Sequence, residues 1–397
     1  MYGGGGFMKR ERFLFLVAAV CGGGALALEL TASRLLAPVF GTSMIVWSAI
    51  IGSTLVDLTA GYWFGGWLAD RRPEEGLLYR LMTVAAVLTG IIPFLAHPIL
   101  QWGWRATNRL AVGGVVGAFF VLLLLFALPV ALLGAVSPFV LRLVIPAVTS
   151  AGRTAGKLSA VATLGSLVGA LLPALVLVPL FGTRHTFLVV ALVVIALAVW
   201  GFLRLSRQKA AALSATLGLL LALGYLPLRH IPIIAYEKAI YETESVYNYI
   251  QVVERGRGSG KGVFLRLNES KNDHSVYRPN RTFTYQVWDY AAITPMLTPD
   301  FDPVEHPISR VALIGGAAGT MARILTRVYG PVPIDHVEID PKVIEVARKY
   351  FGLTEKNIHV HNEDGRAFLA RSHERYDVVL VDAYQIPYIP FHLTTTE

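Results

Sequence analysis

Near the C-terminus, VALIGGAAGTMARIL (311–325) joins an apolar strand-like run to a helix-like run through Gly315-Gly316-Ala317-Ala318-Gly319. Glycines at the carboxyl end of such a strand let the backbone approach a ligand and turn tightly into a helix. Three more strand-like runs follow, each ending in a carboxylate. IDHVEID (334–340) brings Glu338 and Asp340, NIHVHNED (357–364) brings Asp364 followed by Gly365, and YDVVLVD (376–382) brings Asp382. Glu338 comes about 20 residues after the glycines, where a carboxylate can accept both hydroxyls of a ribose. A carboxylate after the third strand suits the amino group of adenine. The spacing Gly315-Gly316-x-x-Gly319 departs from the GxGxxG turn that a pyrophosphate would favour at a helix N-terminus. The set therefore favours a phosphate-free adenosine bearing a sulfonium, of the S-adenosylmethionine type, over NAD. The plain alternative is that the glycines only make turns and the aspartates only cap helices. Recurrence at four successive strand ends weighs against that.

The elements that would position these residues alternate regularly. Helix-like runs TMARILTRVY, PKVIEVARKYF and GRAFLARS separate the four strands, and Pro341 suits a first helical turn. This pattern predicts a Rossmann-like, doubly wound parallel sheet, which binds ligands beyond the carboxyl ends of its strands. Upstream, VYNYIQVVE (246–254) and GVFLRLN (262–268) read as two antiparallel strands joined across RGRGSGK. A helix-like WDYAAITPML and a Pro-rich linker, TPDFDPVEHPIS, come next. The expected division is a helical membrane part over 1–229, a small β-sheet region over 230–298 and a nucleoside-binding domain over 299–397.

The first part differs in kind. The chain is 54% hydrophobic and only 16% charged, against about 25% charged in a soluble domain. Seven apolar runs approach the length needed to cross a bilayer, about 20 residues each: 13–37, 44–68, 77–100, 111–141, 158–181, 186–204 and 211–228. The fourth contains Pro129 and Pro138 and is expected to kink or break; the seventh is the weakest. The first run resembles a signal peptide but is too long, so it reads as a span. Arginines and lysines alternate from loop to loop (Lys9, Arg10 and Arg12; Arg71, Arg72 and Arg80; Arg142, Arg153 and Lys157; Arg204, Arg207 and Lys209). This places the N-terminus in the cytoplasm of an integral protein of the plasma or inner membrane, with the lipid bilayer as a partner. The side on which the globular part lies depends on whether the seventh run spans.

Glu29, Arg34 and Asp57 are ionisable residues within the spans. They read either as a substrate or proton site or as ion pairs locking helices together. Glycine-dense stretches such as 22–24 suit close helix packing. The net charge of +8 flanks the apolar runs and forms no aromatic-interleaved stripe, which excludes a nucleic-acid partner. With the lone Cys21 no disulfide within the chain is possible, and His359 and His361 lie in no ligand cluster, so no metal is expected.

IGGAAG, VEID, EDGRAFL and YDVVLVD, in this order, resemble the polyamine aminopropyltransferases, the spermidine synthase family; ETESVYNYIQV resembles that family's opening strand. LELTASRLLAPVFGTS with GYWFGGWLADRRP is similar to membrane-fused spermidine-synthase-like proteins. The second stretch, through Gly66, Asp70 and Arg71, resembles a cytoplasmic loop of major-facilitator transporters. The resemblance implies that Glu338 binds the ribose hydroxyls and Asp364 the adenine amino group. It implies that Gly315, Gly316, Ala317, Gly319 and Gly365 line the donor's turn, and that Asn248 stands where the family has a nucleoside-touching glutamine. Asp382 would accept a proton from the attacking amine. Tyr384, Gln385 and Tyr388 would wall the acceptor pocket, with packing the plain alternative for the tyrosines. Asp289, with Trp288 and Tyr290, falls where the family places substrate contacts.

Two positions depart from the family. Ala317 replaces an aspartate that would hold the donor's aminopropyl ammonium, and Gln385 replaces a second aspartate after strand four. Burying a dication without carboxylates is costly, and without an acid at 317 the carboxylate of intact S-adenosylmethionine is no longer repelled. Three readings follow. The first is a membrane-anchored transferase moving an aminopropyl or related alkyl group from decarboxylated S-adenosylmethionine to a polyamine-like amine. The second is a methyltransferase using intact S-adenosylmethionine, and the third is a transporter or sensor that only binds a nucleoside or polyamine. A homodimer is left open. Four strands are fewer than the usual six or so, so the chain is expected to be part of a longer protein.

Overall fold

The computed structural model describes residues 4–110, 114–145, 151–206, 216, 239–256, 258–268, 272–297, 302, 304–384, 390–393 and 395. The chain divides into two compact units, Met1–Ile234 and Ala235–Glu397.

The first unit is helical: α1 (Gly4–Phe40), α2 (Met44–Arg71), α3 (Glu75–Leu110), α4 (Gly114–Val144), α5 (Ala151–Leu172), α6 (Val178–Phe181) and α7 (Thr183–Leu205). A single π-helical turn, Pro173–Leu177, joins α5 to α6. Among the described residues, six stretches are long and apolar enough to cross a membrane: Arg10–Phe40, Met44–Arg71, Glu75–Gly103, Val116–Val144, Ala151–Phe181 and Thr183–Leu205. They match the first six predicted spans; the seventh, 211–228, lies outside the described residues. Of the expected kink or break in the fourth span, the break is absent: α4 continues through Pro129 and Pro138. Neighbouring helices can re-satisfy the backbone groups that a proline frees.

Small residues set the helix contacts. A Cβ on Gly23 of α1 would stand 2.5 Å from the carbonyl oxygen of Gly165 on α5. Gly61 and Gly65 of α2 lie against the backbone of Ala131 and Ala135 on α4. Backbones this close are the small-xxx-small packing that membrane helices use where no hydrophobic gain separates helix from lipid. Charges gather at one end of the bundle. Arg10 donates to Glu75, Tyr79 donates to the other Glu75 oxygen at 2.8 Å, and Arg204 lies 4.3 Å over the Phe13 ring. Arg142 pairs with Asp70 at 3.0 Å. Glu29 and Arg34 are half-buried on α1. Asp57 is only 3% exposed, and its Oδ2 has no hydrogen-bond partner among the described residues.

The second unit holds two four-stranded sheets. The antiparallel one runs β1-β2-β3-β4: β1 (Ala239–Glu244), β2 (Tyr249–Arg255), β3 (Gly262–Leu267) and β4 (Asp273–Tyr277). Only β2 and β3 carry the apolar alternation that announces a strand. β1 (AIYETE) and β4 (DHSVY) are polar and partly exposed and were not expected. WDYAAITPML, expected as a helix, forms two short 3-10 turns, Val287–Ala292 and Thr294–Leu297.

The parallel sheet has the order β7-β6-β5-β8, from β5 (Val311–Ile314), β6 (Ile334–Val337), β7 (Ile358–His361) and β8 (Val378–Val381). All three pairings are parallel, as the alternation predicts. Helices α8 (Thr320–Tyr329), α9 (Pro341–Tyr350) and α10 (Gly365–Arg371) connect the strands. One core serves both sheets: Ile250, Val252 and Leu265 of the antiparallel sheet pack with Leu313, Ala318, Ala322 and Phe351 of the parallel layer. The chain order turns back between β5 and its two neighbours, and that switch point is where ligands bind in such sheets.

Candidate active site

A cavity of about 650 Å³ opens at the carboxyl ends of the parallel strands, within the 300–1,000 Å³ typical of small-molecule sites. Gly315 and Ala317 line it after β5, Glu338 after β6, Asp364 and Gly365 after β7, and Asp382 and Tyr384 after β8. The facing wall carries Asn248, the stretch 272–274 and the stretch 286–288. All four carboxyl-terminal strand ends thus meet one space.

The glycine turn is held from both sides. Gly315 has φ +79, and a Cβ there would stand 2.6 Å from the backbone nitrogen of Ala383. Only glycine lets β5 and the end of β8 approach this closely. Ala317 adopts φ +46 although it carries a Cβ, a conformation that persists where surrounding bonds over-determine it. Its N–H donates to Glu338 Oε2 at 3.0 Å. Gly316 and Gly319 lie in the same turn without lining the cavity.

Glu338 is buried, and its second oxygen, Oε1, accepts from the backbone N–H of Asp340 at 3.0 Å. Burial pushes its pKa up to about 7, against the pull of these N–H donors. The backbone N–H of Ile339 adds a smaller pull on the same carboxylate. Asp340 is fully buried and caps α9, accepting from Lys342 N–H at 2.9 Å. Its other oxygen accepts from Ser245 Oγ at 2.6 Å and Asn248 Nδ2 at 2.8 Å. Asn248 Oδ1 in turn accepts from Asn268 Nδ2 at 2.8 Å. Both ends of the Asn248 amide are therefore fixed, with one N–H left for a ligand.

Asp364 performs the plain role and leaves room for the other. Oδ1 caps α10 by accepting from Arg366 and Ala367 N–H, both at 3.0 Å. Oδ2 stands 3.5 Å from His392 Nε2. Asp382 is fixed through its backbone, which donates to Ile314 O at 2.8 Å. The surrounding walls desolvate its carboxyl and push its pKa up to about 6. The carboxyl is open to solvent on the cavity side, which screens this shift.

Asp289 does not line the cavity. Its carboxylate is taken by Thr284 N–H and Oγ1, both at 2.8 Å, and by Tyr285 N–H at 2.6 Å, so it organises the loop before the 3-10 turn. Its neighbour Trp288 reaches the cavity instead. Gln385 and Tyr388 lie outside the described residues.

Residues at or beside the site that the sequence does not announce include His336 beneath the glycine turn, Asp273 and His274 on β4, and His392. Asp273 is paired with Arg255 at 2.7 and 3.0 Å. Burial lowers the His274 pKa. None carries a spacing signal, because a histidine in a strand reads as packing until its neighbours in space are known.

Residues 301–395 match the spermine/spermidine synthase domain. A probable polyamine aminopropyl transferase of Bifidobacterium longum (strain NCC 2705) is 36% identical over 157 residues, covering 40% of this chain and 32% of that protein. A polyamine aminopropyltransferase of Clostridium beijerinckii is 38% identical over 159 residues, covering 38% of this chain and 49% of its own. One of Mycobacterium tuberculosis (strain CDC 1551 / Oshkosh) aligns over 94% of this chain and 71% of its own, at 27% identity. The chain spans a third to a half of the length of the first two. The C-terminal region is thus similar to the spermine/spermidine synthase domain, and the relatives it resembles carry the name polyamine aminopropyltransferase.

Proposed function

We propose that the protein is a membrane-anchored aminopropyltransferase that transfers an aminopropyl group from decarboxylated S-adenosylmethionine to an amine. The observation that carries this reading is the opening of Glu338, Asp364 and Asp382 into one cavity beside Gly315. The residues suit a cationic adenosine donor. Glu338 offers two oriented oxygens to a ribose diol, Asp364 Oδ2 remains beside the adenine end, and the cavity has room for a nucleoside with a short side chain. Among the described residues, carboxylates rather than Lys or Arg side chains line the space, which favours a sulfonium over a phosphate.

The donor, a co-substrate, supplies a methylene carbon made electrophilic by its bond to the sulfonium. The amine's lone pair forms a bond to that carbon, the carbon–sulfur bond breaks, and its electron pair goes to sulfur, leaving neutral methylthioadenosine. One proton of the new ammonium passes to Asp382, which is mostly ionised at neutral pH with a pKa of about 6. The larger contribution is alignment, since holding nucleophile and electrophile in line removes most of the entropic cost of meeting. The helical unit would anchor the enzyme in the membrane, with the N-terminus and the basic helix ends on the cytoplasmic side.

A second reading keeps the site and changes the donor. Ala317 presents a methyl group to the cavity, so no carboxylate at that position opposes the carboxyl end of intact S-adenosylmethionine. Methyl transfer would then replace aminopropyl transfer. Turnover by the purified full chain separates the two. Methylthioadenosine formed from decarboxylated S-adenosylmethionine and putrescine supports aminopropyl transfer. S-adenosylhomocysteine formed from the intact compound supports methyl transfer. Neither product under either condition contradicts both.

A further inference from the structure

His336 lies in the middle of β6 and is fully buried. Its imidazole fills the space beside Gly316 so closely that a Cβ on that glycine would overlap the ring. Nε2 stands 3.3 Å from the carbonyl oxygen of Ala317. Nδ1 is buried with no hydrogen-bond partner among the described residues. These two facts select the tautomer. A proton on Nδ1 would leave a buried donor unmet and set the Nε2 lone pair against a carbonyl oxygen, both costly. A proton on Nε2 makes the bond to Ala317 O and leaves only an unused acceptor. Burial, with a smaller contribution from nearby Arg323, lowers the pKa of His336 to about 4, so the ring is neutral at ordinary pH.

Ala317 is thus gripped at both polar atoms of its backbone: its carbonyl by His336 and its N–H by Glu338 Oε2. It is also the non-glycine residue of the turn held at positive φ. We propose that His336 is a positioning residue, which holds Ala317 in the left-handed conformation and so orients the Glu338 carboxylate toward a ribose. This rests on the nucleoside reading of the site given above. The imidazole does not line the cavity, so its effect must pass through the turn.

The test compares substitutions at one atom. His336→Met keeps much of the volume and removes the donor. His336→Gln places an amide N–H near the position of Nε2. His336→Asn carries an amide too short to reach Ala317 O. Binding of methylthioadenosine to the full chain in detergent is measured by calorimetry, with the thermal midpoint recorded beside it. We expect affinity to fall about tenfold in His336→Met, equivalent to ~1.4 kcal/mol, and to recover to within about threefold in His336→Gln at an unchanged range of thermal midpoints. Should His336→Met not fold, the Gln and Asn variants decide, the former binding tightly and the latter weakly. Equal affinity across wild type, Met and Asn variants overturns the positioning role while leaving the nucleoside site intact. Failure of the wild-type protein to bind overturns the nucleoside reading, and this proposal with it.

Discussion

At the residue scale the carboxylates do different work because their surroundings differ. Glu338 is buried and its pKa is raised to about 7; only its ionised form can accept from both ribose hydroxyls. Affinity for methylthioadenosine should therefore rise as pH passes through about 7 and level above it, and Glu338→Gln should lower it roughly 10- to 100-fold and flatten the dependence. The same shift has a stability signature of fixed sign. The folded state holds the Glu338 proton more tightly than the unfolded chain, so its contribution is full below the ordinary value of 4.5 and is lost as pH rises through about 7. Thermal midpoints of the ligand-free protein measured from pH 4.5 to 8 should show this decline, and Glu338→Gln should remove that part of it. For Asp382, substitution by Asn should leave methylthioadenosine binding nearly intact while slowing turnover roughly 10²- to 10⁴-fold, as expected for loss of a proton acceptor. Comparable losses in binding and turnover would move Asp382 out of that role.

At the element scale the glycines mark where backbones touch. Gly165 and Gly169 of α5 pack onto Ala19 and Gly23 of α1. Gly169→Val should separate these helices and lower the thermal midpoint in detergent by several degrees, corresponding to about 1–3 kcal/mol of overpacking. Gly52→Val, where a Cβ meets nothing within 4 Å, is the control expected to leave it unchanged. Elements with strong periodicity were legible in the sequence. The first six spans could be read from their long apolar runs, and the four parallel strands from their regular alternation with helix-like runs. β1 and β4 could not, since AIYETE and DHSVY become strands only through pairing with β2 and β3. Among the candidate site residues, the convergence of Glu338, Asp364 and Asp382 on one cavity was legible because each follows a strand of one parallel sheet. Asp289 points elsewhere because its carboxylate is captured by local backbone N–H groups, a capture invisible to spacing. His336 was illegible for the opposite reason: its partner, Ala317, is 19 residues away in sequence.

For the whole molecule, a helical unit with, among the described residues, six stretches long and apolar enough to cross a membrane is joined in sequence to a unit that holds a cavity of about 650 Å³. Arg10, Arg142 and Arg204 stand near the ends of α1, α4 and α7 that an alternating bundle would bring to one side, and by the positive-inside rule we propose that this side is cytoplasmic. The lone cysteine, Cys21, is buried, which makes orientation accessible to labelling. In a Cys21→Ala background, Ser206→Cys, just after α7, should react with a membrane-impermeant maleimide only once cells are permeabilised. Labelling of intact cells would reverse the orientation.

The central claim, one adenosine site assembled from successive strand ends, is tested most directly by calorimetric titration of the full chain with methylthioadenosine, beside Glu338→Gln and Asp364→Asn. The account predicts one saturable site per chain in the wild type and weakened binding in both variants. Wild-type affinity in both, or no binding to a folded wild-type protein, would contradict it.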